Sequence, residues 1–391
     1  MQEKQSRRRG PHSGIGASQR DARFSRIILV MVGILAVLAV ISIIRMIRVR
    51  AEDDRVSAQM LPCDSTQDIR IFGDSVLYYD GTSIHCVNAT GGIRWSYPVG
   101  VMAQFSCSDT HVVAWNGMQL YIIDRNGHAS YNDSLDSTIQ FARVGSNYCA
   151  VIVGEETAPT LLIKNMDGTQ ADFEREEYNG RVIMDVGFYG EADQYLWTLS
   201  FDYYAVALST TLNTYQVARM NTGKVSLGSF LAYRVIYENG RLRVFTTQQM
   251  YTYNYKAVPD NSRTMLVHGW QVIDEEVPAR GDMAVLMART SDWNGIGSRI
   301  TDLRLMNGDE FIHYSLPFPC IGAGVVSGNI YAFSGDNLCY LKISKNDRRF
   351  DQVPLPLPEG KEARSVFGLT SNRRAIVACT DGSVYAVTLP K

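Results

Sequence analysis

Two hydrophobic rhythms divide this chain. Residues 27–44 read IILVMVGILAVLAVISII, an unbroken apolar run whose one polar group is the Ser42 hydroxyl. As a helix rising ~1.5 Å per residue it reaches about 27 Å, close to the ~30 Å hydrocarbon thickness of a bilayer. Continuing to Ile47, with Arg45 reaching back to the headgroups, closes the gap, so a transmembrane helix is predicted over 27–47. From about residue 68 the rhythm changes to short apolar runs broken by Gly, Asn and Asp. They come in pairs: 75–79 with 83–87, 112–115 with 120–123, 148–153 with 161–164, and 195–201 with 212–220. The pairing continues as 241–246 with 250–255, 284–287 with 300–305, 330–333 with 338–343, and 375–379 with 384–387. After the apolar span, no stretch of twelve or more residues keeps a helical period.

The pairs start near 75, 111, 147, 195, 240, 282, 325 and 373, a mean period of about 43 residues. A period of ~40–50 with four short strands per unit is the signature of a β-propeller. A turn dipeptide suited to φ > 0 follows the third strand in Asn126-Gly127, Asp167-Gly168 and Asn307-Gly308, and Gly91-Gly92 and Thr222-Gly223 are placed in the same slot. Blades bury both faces, which accounts for runs of five or six nearly unbroken apolar residues. The fold class is therefore all-β, a β-propeller of seven or eight four-stranded blades with eight favoured, preceded by one transmembrane helix. The last unit, 363–389, offers three strands. A ring cannot leave that edge open, so residues 56–62 or the strand at 68–72 should close it.

Charge decides the topology. Residues 1–26 carry seven basic side chains against Glu3 and Asp21, while Arg45, Arg48 and Arg50 follow the span. The larger basic cluster stays cytoplasmic, so the C-terminal bulk is exported. A cleaved signal peptide ending at Val49-Arg50-Ala51 is the rival reading, but eighteen apolar residues exceed the usual 7–15 and three arginines intervene. The expected organisation is a basic disordered cytoplasmic tail (1–26), a signal-anchor helix (27–47), a short stalk (48–55) and the propeller with its closing strand (56–391). Ten basic and two acidic residues precede Ala51. Of the 38 Lys+Arg and 40 Asp+Glu in the chain, 28 and 38 remain beyond it, a net charge of −10 that is a poor match for nucleic acid.

Asn88-Ala89-Thr90-Gly91-Gly92-Ile93-Arg94-Trp95-Ser96-Tyr97 resembles the blade signature of quinoprotein-like (PQQ-type repeat) propellers, in which a Thr-Gly turn precedes a tryptophan packed between blades. Met220-Asn221-Thr222-Gly223-Lys224-Val225 is a second copy without the tryptophan. The layout of basic tail, single span and exported ring also resembles an uncharacterised family of single-pass bacterial propeller proteins. These resemblances imply a fold and a membrane address. Redox members of the quinoprotein group would bring pyrroloquinoline quinone, a calcium site, an Asp base and often adjacent cysteines. Here no two cysteines adjoin, and no cofactor is expected.

Other chemistry finds little support. The seven cysteines (63, 86, 107, 149, 320, 339, 379) sit mostly within apolar runs as small hydrophobes, with one bridge, Cys320 to Cys339, left open. The histidines are scattered without H-x-H or H-E-x-x-H spacing, and G-x-S-x-G is absent. Glu174-Arg175-Glu176-Glu177 and Asp274-Glu275-Glu276 are acidic clusters, read as solvated loops before paired catalytic carboxylates. Phe201-Asp202-Tyr203-Tyr204 and Asp292-Trp293-Asn294-Gly295 lie in longer inserts and offer loop aromatics as ligand platforms, with core packing the blander reading. Asn88 and Asn132 head sequon-like triplets at turns. No catalytic, cofactor-binding or metal-ligating residue is assigned. The expected function is a membrane-anchored extracytoplasmic interaction or scaffold module for a protein, peptide or glycan. The alternative is an exported carboxylate-dependent hydrolase of polysaccharide or peptide.

Overall fold

The computed structural model describes residues 35, 56–207, 209–278, 282–293, 297–344 and 347–391, with backbone only at 220 and 221. The predicted tail, span and stalk lie outside the described residues, Leu35 apart. Among the described residues no helix is long and apolar enough to cross a membrane. Residues 56–390 form one unit of eight four-stranded antiparallel sheets. Blades one to seven occupy 68–98, 104–134, 139–174, 181–226, 232–266, 270–320 and 322–354. Each runs in chain order from an inner to an outer strand.

Blade eight takes three strands from 363–388 and its fourth from the other end of the ring. Ala58–Asp64 pairs with Ser383–Thr388 in the register Ala58↔Val387, Gln59↔Ala386 and Met60↔Tyr385. This is the closing strand expected at 56–62, shifted by two residues toward the C-terminus. Leu61 anchors it, 1% exposed among Ile69, Val76 and Ile376 of blades one and eight.

The core is not one mass but eight apolar clusters, one at every blade-to-blade interface. Alternation explains how one strand serves two of them. In His111–Asn116 of blade two, Val112 and Ala114 join the cluster shared with blade one, while Val113 and Trp115 join the cluster shared with blade three. Full burial of each such Val, Leu or Ile contributes about 1.5–3 kcal/mol, so the stability is spread around the ring. Blade four is more polar: Thr198, Ser200, Asn213 and Thr214 are fully buried, and Tyr178 Oη lies 2.7 Å from both Thr198 Oγ1 and Tyr215 Oη.

The signature tryptophan does pack between blades. Trp95, on the outer strand of blade one, lies over Gly127 in the third-to-fourth turn of blade two, and its Nε1 donates to the Arg125 carbonyl at 3.0 Å. Gly127 has φ +84°, and a Cβ there would meet the indole at 2.5 Å. Tyr131 covers Gly168 of blade three in the same way. The Thr222-Gly223 slot is displaced. That dipeptide lies inside the outer strand Met220–Ser226, and the turn falls at 217–219 with Ala218 at φ +60°. The preceding strand accordingly ends at Gln216 rather than 220.

Antiparallel order gives the ring two faces. The first-to-second and third-to-fourth turns line one, called lower here. The second-to-third turns and the blade-to-blade connections line the upper face. Ala58–Asp64 is a fourth strand, so the chain enters the ring from the lower side, where the Ser57 carbonyl accepts from Thr388 N–H at 2.8 Å.

Candidate functional site

Polar groups on the inner strands join neighbouring blades rather than converging on one point. Ser106 Oγ donates to the Ala142 carbonyl (2.9 Å), and Arg143 Nε pairs with Asp185 (3.0 Å). Arg234 grips Glu275 in a two-point pair, its Nε at 3.2 Å from Oε2. Asp274 accepts from Val325 N–H at 2.8 Å, and Glu276 takes the amides of Ser327 and Gly328. The cluster 274–276 is therefore neither a solvated loop nor a convergent carboxylate set. It lies on the inner strand Trp270–Glu276 and ties blade six to blades five and seven. Burial pushes the Asp274 carboxyl up to about 7, with Glu275 adding to the rise and the Val325 amide opposing it. Gly324 makes this fit: a Cβ there would stand 2.6 Å from Asp274 Oδ2.

Most of the polar sequence candidates are engaged as well. Glu174 accepts from the Glu177 amide, and Glu177 pairs with Lys224. Asn88 Oδ1 accepts from the Thr90 and Gly92 amides, a turn-building role. His85, on the third strand of blade one, bridges Ser96 (2.7 Å) and Asp80 (2.8 Å). All seven cysteines are free thiols. Cys320 and Cys339 share the blade six–seven core, and the adjoining Cys339 thiol, with burial, raises the Cys320 pKa. Among the described residues no group of three or more His, Cys, Asp or Glu side chains could hold a metal ion.

Most of the apolar side chains exposed to solvent lie on the upper face, with Ile93, Tyr255, Val258 and Val277 on the lower. One group sits over blades one and two: Val101, Met102 (87% exposed) and Met118. Asn116 Nδ2 donates to the Val101 carbonyl, and Tyr79 Oη accepts from the Ala103 amide while lying 2.7 Å from the Gly100 carbonyl, so the loop is fixed. Met102 itself sits at φ +58°, a strained conformation held by this frame.

A second group spans blades four to six. The insert containing Tyr203, Tyr204 (74% exposed) and Val206 starts against Gly180, whose carbonyl accepts from Tyr203 N–H, and ends against Gly228. Phe230, Leu231 and Tyr233 follow at the start of blade five. Leu231 and Tyr233 border a cavity of about 270 Å³ that Trp270, Val272 and Thr290 also line. Tyr233 is the extra residue of a β-bulge between Ala232 and Arg234, and its hydroxyl accepts from Val272 N–H at 3.1 Å across the blade gap. Of the insert aromatics, Tyr203 and Tyr204 are thus displayed, whereas Trp293 packs against the blade six–seven core; Asn294 and Gly295 lie outside the described residues.

The lower face carries a polar cavity of about 290 Å³ between blades five and six. At its base Arg243, the largest fully buried side chain, donates to Glu238 (3.3 Å), Asp309 (2.8 Å) and Thr252 (3.0 Å). Asp309 also pairs with Arg263. This cluster latches two blades, and its charges are already matched to one another.

No family model and no curated protein sequence matches the chain. Solved structures match it in shape. BamB from Moraxella catarrhalis, a PQQ-like propeller, superposes with a TM-score of 0.50 over 85% of this chain and 98% of its own, at 12% identity. A chain of the BBS1N–ARL6DN complex matches 86% of this chain and 93% of its own at 13% identity (TM-score 0.46). The Neurospora crassa Pan2 WD40 domain matches 84% and 90% at 8% identity (TM-score 0.44). At such identities the shared property is the propeller fold, here with eight blades.

Proposed function

We propose that the chain is a single-pass, membrane-anchored extracytoplasmic scaffold whose propeller docks a protein or peptide partner on its upper face. The observation that carries this reading is the gathering of exposed Met, Tyr, Phe and Leu side chains, beside an apolar cavity, on the face opposite the chain's entry into the ring. Loops fixed on a rigid frame are a common way to build recognition surfaces, and exposed apolar groups bordered by polar ones favour association. The branched aliphatic and methionine tips suit a polypeptide better than a glycan. The anchor rests on the 27–47 run and its basic flank. Hydrolysis gains no support, because Glu174, Glu177 and the carboxylates of 274–276 are engaged within the protein, which leaves Glu176 without a second free carboxylate in its cluster.

The test is photo-crosslinking in intact cells, with a photoreactive residue at Tyr204 or Leu231 on the upper face and at Val277 on the lower. One discrete protein adduct from the upper positions and none from Val277 is expected. Equal adducts from both faces, or none from the upper one, would refute the assignment.

A further inference from the structure

The cavity between blades five and six carries a chemical preference of its own. At about 270 Å³ it falls below the ~300–1,000 Å³ usual for small-molecule sites, and its walls are mainly Leu231, Tyr233, Trp270 and Val272. That size and lining suit one large apolar side chain presented by a polypeptide. The pocket is already formed, because the Tyr233 hydroxyl holds the wall in place through the Val272 amide.

Trp270 links this cavity to a cluster of cations. Register places Trp270 opposite Arg289, and Met287 and His313 opposite Arg304. The Arg289 guanidinium lies 5.0 Å from the Trp270 ring centre, and that of Arg304 lies 3.6 Å from the Phe311 ring and 5.9 Å from Trp270. One carboxylate, Asp302, serves both Arg289 (3.3 Å) and His313 (3.4 Å). Arg304 has no carboxylate within ion-pair reach among the described residues, and bonds instead to the Leu266 carbonyl. The corner therefore holds one cation in excess on a ring whose sequence is otherwise acidic.

We propose that this corner receives a partner segment in which an apolar anchor residue enters the cavity and a neighbouring Asp or Glu meets Arg289 and Arg304. The inference rests on the docking-face reading and names the partner's chemistry. Carboxylate–guanidinium pairs beside aromatic rings add orientation and salt sensitivity to an apolar anchor.

The experiment pans a phage-displayed library of random linear octapeptides against the full-length protein in detergent micelles. Enriched peptides should place Leu, Ile, Met, Phe or Trp within three residues of Asp or Glu. Their binding should weaken at least tenfold in Leu231→Asp, which puts a like charge on the apolar mouth without touching the core. It should weaken about fivefold in an Arg289→Gln/Arg304→Gln double variant, and fall as salt is raised. Trp270→Ala tests the wall, with circular dichroism to confirm its fold. Failure to enrich peptides, enrichment of sequences without an acidic residue, or binding unchanged in Leu231→Asp would overturn the proposal. Upper-face crosslinks in cells together with neutral enriched peptides would sink this inference and leave the docking face standing.

Discussion

Replacing Asp274 by Asn should make the ring more stable at alkaline pH and nearly unchanged at acid pH. The carboxyl lies against Gly324, accepts from the Val325 amide and adjoins the Arg234–Glu275 pair, in a residue that is half-buried. Its pKa rises from an ordinary 3.8 to about 7 in the folded protein. The folded state therefore holds a proton that the unfolded chain releases between those values. Asp274 contributes its full stability below about pH 4 and loses it as pH rises through about 7. At about 1.4 kcal/mol per pH unit the difference is about 4 kcal/mol, which solvent screening of a half-buried group reduces to about 1–3 kcal/mol. Asn keeps an acceptor for Val325 N–H and carries no charge. Thermal unfolding of the full-length protein in micelles, followed by tryptophan fluorescence from pH 4 to 8, gives the difference in Tm between variant and wild type. Other titrating groups cancel in that difference. It should stay near zero at pH 4–5 and grow to several degrees by pH 8. A constant offset, or a variant that loses ground as pH rises, would show that the carboxylate is ionised and wanted.

Leu61→Ala should cost about 2–5 kcal/mol and loosen the closing strand, seen as faster exchange of the Ala58–Asp64 amides; unchanged exchange there would contradict closure by this strand. Arg243→Met leaves Glu238 buried and unpaired, and a loss of about 3–5 kcal/mol in thermal or denaturant unfolding is expected, with no loss refuting the latch. Gly127→Ala should destabilise by about 1–3 kcal/mol through the Trp95 contact and the left-handed turn, whereas Gly240→Ala, which meets no neighbour, isolates the backbone share. Cys149, Cys320 and Cys339 should resist iodoacetamide until the ring unfolds, because all three are fully buried out of the reagent's reach; rapid labelling of the native protein, read by mass spectrometry, would contradict that packing.

The repeat was legible because second and third strands bury both faces, so 112–115 and 330–333 stand out as apolar runs whatever their surroundings. Outer strands were harder to read: Ala129–Ser134 is mostly exposed, and Met265–Leu266 is only two residues long. Blade four blurred its own edges. Its core uses Thr198, Asn213 and Tyr215 hydroxyl and amide groups, which weaken the apolar alternation, and an Ala-Arg turn replaces the usual glycine. The acidic run 274–276 was misplaced because local charge suggested solvent. Its actual partners are Arg234 and the Val325 and Ser327 amides of other blades, at sequence separations that local patterning does not reach. The candidate surface was legible only in part: Tyr203 and Tyr204 stood out as insert aromatics, but Leu231 and Tyr233 join them only through the packing of blade five beside blade four.

Hydrogen–deuterium exchange on the protein in native membranes, compared with the same protein purified in micelles, probes the docking face most directly. Protection in the membranes is expected at residues 101–103, 203–207 and 229–233, with 255–258 and 277–278 on the lower face unchanged. Protection confined to the lower face, or identical exchange in the two preparations, would contradict a partner seated on the upper loops.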